Sequence, residues 1–185
     1  DNTFNTYTQF KMSGKIAARG NCNAIWNYED LNTPLKQYCG SRMFQNCTSL
    51  TEAPELPTAI LADSCYKSMF NSCTSLTQTP KLPATTLATS CYQSMFKGCT
   101  SLTSAPELPA TTLINSCYQN MFSECTSLIT APELPATTLA DNCYHYMFYK
   151  CTKLNYIKCL AMDISDSNYT YRWVYAVSST GTFIK

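Results

Sequence analysis

The chain has 185 residues, a formal net charge of +1 and 14% charged against 45% hydrophobic residues. That length bounds one domain with a sizeable core, and the composition excludes general disorder. With no basic block or acidic tail there is no signature of a nucleic-acid partner, and no apolar run approaches the roughly 18–20 residues that cross a bilayer.

The opening stretch "DNTFNTYTQF" has neither the basic start nor the apolar run of a signal peptide, which suits a mature secreted chain as well as a cytosolic one. Residues 1–38 carry no repeat. Phe4, Phe10, Met12 and Ile16 stand among polar residues, with Gly14 and Gly20 as turn signals. This pattern predicts two β-strands that cap the unit following them.

From residue 39 the sequence is periodic. Cysteines at 39, 47, 65, 73, 91, 99, 117, 125, 143 and 151 are separated by alternating gaps of eight and eighteen, a period of 26 residues. Full copies begin at Cys47, Cys73, Cys99 and Cys125, with a half copy before them and a degraded one ("CTKLNYIKCLAMD") after. A period of this length predicts a solenoid over 39–159, because one copy cannot bury its apolar side and stacked copies can. The positions that never change are mostly apolar and predict the core: Leu50, Leu76, Leu102 and Leu128; Cys73, Cys99 and Cys125; Phe70, Phe96, Phe122 and Phe148. The positions that change are mostly polar and are expected to face water. They include the Lys67, Gln93, Gln119, His145 register and the pair before each "CTSL" or its equivalent.

Within one copy, "SLTSAPEL" reads as a short extended run whose copies pair as parallel strands, with Pro106 and its equivalents at the strand end or a bulge. "LPATTLA" reads as the extended return. "NSCYQNMFSEC" places a capping residue ahead of Cys, Met and Cys at i, i+4 and i+8, and this spacing predicts one face of a short helix or helical turn. Residues 160–185 predict a loop, "DISDSN", and a β-rich end, "YTYRWVYAV" then "TFIK".

The twelve cysteines have two readings: buried columns of free thiols packed against Leu, Met and Phe, or disulfides in an oxidising compartment. In a regular helix Cys65 and Cys73 lie about 12 Å apart along the axis, so a bridge inside the motif requires the helix to break. A metal site is not expected, because there is no C-x-x-C and a single His. No G-x-S-x-G elbow and no phosphate loop is present, and the only His, His145, sits at a variable outward register. Neither an enzyme nor a cofactor is expected.

"MFKGCTSLTSAPELP" is similar to the leucine-rich repeats of BspA-like bacterial surface proteins, whose units carry Phe-x-x-Cys-x-x-Leu before a strand ending in Pro. The full variant "CY..MF..CTSLT.APELPATTLA" resembles the form found in gut Bacteroidetes and associated phages. The segment after residue 159 also resembles the one that closes such arrays, where Cys often stands at the position of Tyr169. Here Cys159 lacks that partner. The resemblance implies an α/β, β-rich leucine-rich-repeat solenoid: a parallel sheet with short helical or extended segments on its other side and β caps at the ends. It also implies a secreted or bacterial cell-surface location and a role in adhesion.

Two functions from different classes follow. One is a non-catalytic extracellular module that recognises a host surface protein or glycan, with Tyr144, His145, Tyr146 and Tyr149 as a ring cluster, which reads equally as a cap contact with the C-terminal segment, and the outward register Glu55, Lys81, Glu107, Glu133 as a charged ladder. The other is a structural spacer or self-associating unit of a fibre, surface layer or phage appendage, favoured by the near identity of the copies.

Overall fold

The computed structural model describes residues 9–26 and 35–185. Residues 1–8 and 27–34, and with them the Phe4 part of the expected N-terminal cap, lie outside the described residues. Regular elements are few and short: β1 (Ile16–Ala17), α1 (Asn23–Trp26), β2 (Leu50–Glu52), β3 (Tyr156–Lys158), α2 (Ser167–Thr170) and β4 (Thr182–Ile184). β1 pairs parallel with β2, and β3 parallel with β4. Between these end sheets the extended runs touch through single parallel bridges, Glu52 with Gln78, Ser104 with Thr130 and Thr130 with Tyr156. The sheet stays thin because each run ends at a buried proline, Pro54, Pro80, Pro106 or Pro132, and proline brings no N–H to a ladder.

What joins one unit to the next lies on the opposite side, where a helix was expected. Residues 62–73 form no helix; they form a ribbon of consecutive β-turns. Alternate N–H groups have different destinations. Cys65, Lys67, Met69, Asn71 and Cys73 each donate to the carbonyl three residues back, at 3.1–3.2 Å. Ser64, Tyr66, Ser68, Phe70 and Ser72 each donate across to the next unit, to the carbonyls of Thr89, Cys91, Gln93, Met95 and Lys97 at 2.7–3.0 Å. Every N–H from Ser64 to Cys73 is thus satisfied, half locally and half between units, which is what buried backbone requires.

The geometry demands a left-handed residue at every fourth position. Ser64, Ser68 and Ser72 have φ of 54°, 55° and 62°, and the following unit repeats this at Ser90, Ser94 and Gly98. Left-handed backbone costs an L-residue roughly 1–2 kcal/mol each. Small Ser, Asn and Gly residues occupy most of these positions, and the bonds they allow offset the strain. The expected short helix or helical turn gives way to the ribbon because Cys65, Met69 and Cys73 share a face in either geometry. The buried pairs Cys65–Tyr66 and Met69–Phe70 and the half-buried Lys67, Asn71 and Ser72 satisfy both patterns over so short a span.

Stacking in register produces continuous columns. Leu50, Leu76, Leu102, Leu128 and Leu154 are all buried. Phe10, Phe44, Phe70, Phe96, Phe122 and Phe148 form a ladder of stacked rings with centroids 5.0–5.8 Å apart. A second ladder runs through Tyr66, Tyr92, Tyr118 and Tyr144 at 5.9–6.4 Å.

The stretch "YTYRWVYAV", expected as a strand, is another turn ribbon. Tyr144, Tyr146, Phe148 and Lys150 donate to the carbonyls of Tyr169, Tyr171, Trp173 and Tyr175 at 2.8–3.0 Å, and Arg172 and Ala176 have the left-handed φ. Trp173 takes the register of Met147, and its large ring closes both ladders, 6.0 Å from Tyr144 and 6.4 Å from Phe148. Phe183 of β4 then packs edge-on against Trp173. Where β4 begins, Gly181 lies so close to Asn155 that an added Cβ would stand 2.2 Å from that residue's carbonyl oxygen.

The ribbon makes a sign prediction. With φ of 56° at residue 94, Ser94→Gly should be about 1–2 kcal/mol more stable than Ser94→Ala in urea unfolding. A regular helix would give the reverse order by about 1 kcal/mol, so the ranking of these two variants separates the geometries.

Candidate functional site

The chemistry-bearing residues divide into those sealed in the core and those on the outer face of the ribbons. The cysteines are sealed: all twelve are free thiols, and all but the partly exposed Cys39 are buried. Cys73, Cys99, Cys125 and Cys151 donate their S–H to the carbonyls of Phe44, Phe70, Phe96 and Phe122 in the preceding unit, at 3.0–3.2 Å. Cys47 does the same to Phe10. The thiol is small enough for a crowded column and still supplies a donor, which explains why neither Val nor Ser replaces it. Burial pushes these thiols up, to about 11 at Cys143 and about 12 at Cys91, Cys99 and Cys151. A thiol held protonated in a sealed column is neither nucleophile nor metal ligand. Among the described residues no group of three or more His, Cys, Asp or Glu is placed to hold a metal ion.

The glutamate register lies at the surface. Glu55, Lys81, Glu107 and Glu133 are all exposed. Glu133 pairs with Lys158 at 3.0 Å, whereas Glu55, Lys81 and Glu107 enter no ion pair among the described residues. In place of a ladder of alternating charges the register holds three separate solvated side chains and one surface pair, Glu133 with Lys158, each of small energetic weight in water.

The ring residues do come together. His145 packs edge-on against Tyr146 (4.8 Å) and stacks on Tyr171 (5.2 Å). Tyr146 also meets Tyr149 and Tyr171 edge-on, at 5.2 and 5.4 Å. Tyr149 stacks on Tyr175 at 5.4 Å. The Arg172 guanidinium lies 5.3 Å from the centroids of both Tyr171 and Tyr175, and the Lys150 ammonium 5.2 Å from Tyr149. Rings and cations in such contacts attract by about 0.5–1 kcal/mol each at exposed sites. Tyr171 and Tyr175 remain 40% and 53% exposed. Partial burial moves the His145 imidazole below its ordinary value, which favours the neutral ring at pH 7.

Beside the cluster lies an open depression of about 320 Å³, lined by Lys97, Gln119, Asn120, Ser123, Glu124, His145, Tyr146, Tyr149 and Arg172. Asn71, Lys97, Ser123, Tyr149 and Tyr175 follow one another at 26-residue steps, and Ser123 is buried among its neighbours. Tyr175 stacks on the Tyr149 ring. Lys97 and Glu124 pair beside the depression at 3.6 Å. Gln93, Gln119 and His145 form a polar ladder on the neighbouring register, Gln93 Nε2 donating to Gln119 Oε1 and Gln119 Nε2 lying 3.4 Å from His145 Nδ1.

Tyr146 also sits at a left-handed position, with φ of 55°, where earlier units place Ser68, Ser94 and Asn120. A bulky residue held there carries backbone strain, which the ribbon imposes equally on Tyr38, Arg42, Glu124 and Lys150. The sequence places His145, Tyr146 and Tyr149 here correctly, and these rings do contact the C-terminal segment, but Tyr144 is buried in the core ladder between Tyr118 and Trp173. It does not single out Tyr171, Arg172 and Tyr175, although counting 26 residues on from His145, Tyr146 and Tyr149 reaches them.

A family model described as BspA type Leucine rich repeat region matches residues 63–171 in 6 copies. No curated protein and no solved structure matches the chain. Among the described residues no helix is long and apolar enough to cross a membrane.

The sealed thiols make stability fall at alkaline pH. In the unfolded chain a thiol ionises near its ordinary value of 9.0, whereas folded Cys99 holds its proton to about 12. Their contribution is therefore complete below pH 9 and is lost as pH rises from 9 towards 12. Each buried thiol removes about 1.4 kcal/mol per pH unit in that window. The buried thiols from Cys65 to Cys151 all act in this direction, against a typical net stability of about 5–15 kcal/mol. Cooperative loss of the far-ultraviolet circular dichroism signal is expected between roughly pH 9 and 11. At pH 8, alkylation should label few thiols in the folded protein and all twelve in denaturant.

Proposed function

The chain belongs to the BspA-type leucine-rich-repeat family, and from that premise we propose that it is a non-catalytic extracellular recognition module. It binds a surface protein or glycan through the ring and cation patch at the C-terminal end of its solenoid. The single observation that carries this reading is the exposed ring and cation cluster of the last two ribbons: Tyr171 and Tyr175 are 40% and 53% exposed, hold Arg172 between them, and adjoin an open depression lined in part by Tyr146 and Tyr149. Elsewhere on the same registers the units present Ser, Asn, Gln and Lys. Large rings with a polar tip are the side chains that dominate binding energy at interfaces and sugar platforms.

A second reading, a structural unit that grows end to end, is supported by the last ribbon. The backbone N–H groups of Val174 and Ala176 lie at the positions that cross to a following unit elsewhere, and among the described residues they find no acceptor. A carbonyl edge like that of an earlier ribbon in another copy would complete that ladder.

A screen of the purified chain against glycans and host surface proteins tests both. Recognition expects binding that falls at least tenfold on combining Tyr146→Ala with Tyr149→Ala and is unchanged by Glu107→Ala, on a monomer whose light scattering is independent of concentration. Scattering that grows with concentration, with no ligand retained, favours the spacer reading.

A further inference from the structure

We propose that His145 is a proton-operated latch at the end of the Gln93–Gln119 ladder: neutral, it accepts from Gln119 and stacks on Tyr171; protonated, it loses Gln119 and releases that ring. The latch stands on the ladder itself and rests on the recognition reading above only for what it regulates.

The ladder has a direction. Gln93 Nε2 donates to Gln119 Oε1, and Gln119 Nε2 lies 3.4 Å from His145 Nδ1. An amide nitrogen only donates, so Nδ1 is the acceptor and the imidazole carries its proton on Nε2. A second proton puts an N–H on Nδ1 and sets donor against donor. A flip of Gln119 would offer its oxygen to the imidazolium but turn its nitrogen on that of Gln93. A flip of Gln93 in turn would put two N–H groups where Gln93 Oε1 is already buried without a partner, and buried polar groups left unsatisfied are costly. The ladder therefore cannot follow the proton, and the bond to His145 is the one that gives way.

The surrounding charges do not rescue the imidazolium. His145 makes no ion pair among the described residues. Its own ribbon contributes Tyr146, edge-on, and the last ribbon contributes Tyr171 and Arg172, whose guanidinium lies 5.3 Å from the same Tyr171 ring. Glu124, the one carboxylate lining the adjoining depression, is engaged by Lys97 at 3.6 Å. Lys67 stands beyond Gln93 in the same register. A proton on His145 thus adds a cation to a neighbourhood that already holds Arg172. Burial acts in the same direction and holds the imidazole below its ordinary value of 6.5. The folded chain favours the neutral ring, so the latch is closed at pH 7 and opens as pH falls below 6.5. Of Lys67, Gln93, Gln119 and His145, only the last has an ordinary value in the mildly acidic range.

His145 is the chain's single histidine, so its signals identify themselves in an NMR titration of the folded chain from about pH 8 to about pH 5. The ring nitrogens should report the Nε2–H tautomer at the alkaline end, and the midpoint should fall below 6.5. The Gln119 side-chain amide and the Tyr171 ring should move with the same midpoint. Gln119→Glu, which gives the protonated ring an acceptor, should raise the midpoint by about one pH unit or more. His145→Gln, which repeats the residue of the two preceding units, should leave the Gln119 and Tyr171 signals flat across the range.

The Nδ1–H tautomer, a midpoint at or above 6.5, or a midpoint unmoved by Gln119→Glu overturns the latch. So do Gln119 and Tyr171 signals that ignore the titration, since a histidine that merely sits on the surface titrates alone. Absence of binding throughout the ligand screen overturns the recognition reading and not the latch, because these titrations need no ligand.

Discussion

Everything in this molecule depends on how the backbone N–H groups of the turn ribbon are divided. One set closes local turns, and the alternate set crosses to the next unit. A helix would keep all its bonds to itself and could hold its neighbours only through side chains. A strand would send its N–H groups out on both sides. The ribbon does both jobs in one segment, at the cost of a left-handed residue every fourth position. That requirement explains the Ser, Asn and Gly spacing, and the crossing bonds fix the register that brings Leu over Leu and Phe over Phe.

Once the register is fixed, the rest of the core follows from repetition. The Phe and Tyr rings stack because identical side chains meet at each step. The thiols fit because each finds a carbonyl of the unit before it. Unlike groups meet where the repetition breaks, on the ribbon face between His145 and Tyr175. There the outward residues change from small and polar to large and aromatic. The exposed rings and the cation between them arise together from that one irregularity.

The columns were legible in the sequence because the copies act as an internal comparison: Leu102, Cys99 and Phe96 recur and Gln93 does not. The ribbon was not, because Cys65, Met69 and Cys73 recur every four residues, which a nine-residue helix accommodates equally well. The informative residues were the ones between them, since Ser64, Ser68 and Ser72 at four-residue spacing are poor helix formers and suit left-handed turns. The last ribbon was hidden by substitution. Trp173 stands where the repeat has Met and Tyr169 where it has Cys, so the pattern of letters stops although the register of hydrogen bonds runs on. Half of the candidate site belongs to that ribbon, which is why His145, Tyr146 and Tyr149 were visible and Arg172 was not.

The thiol column has a mechanical corollary. From Cys47 to Cys151 the S–H of each unit reaches back to a carbonyl of the unit before, while each ribbon reaches forward one unit, so these seams are tied in both directions. A unit that tilted away from its neighbour would break a core bond and ribbon bonds together, so the stack resists bending as a single body.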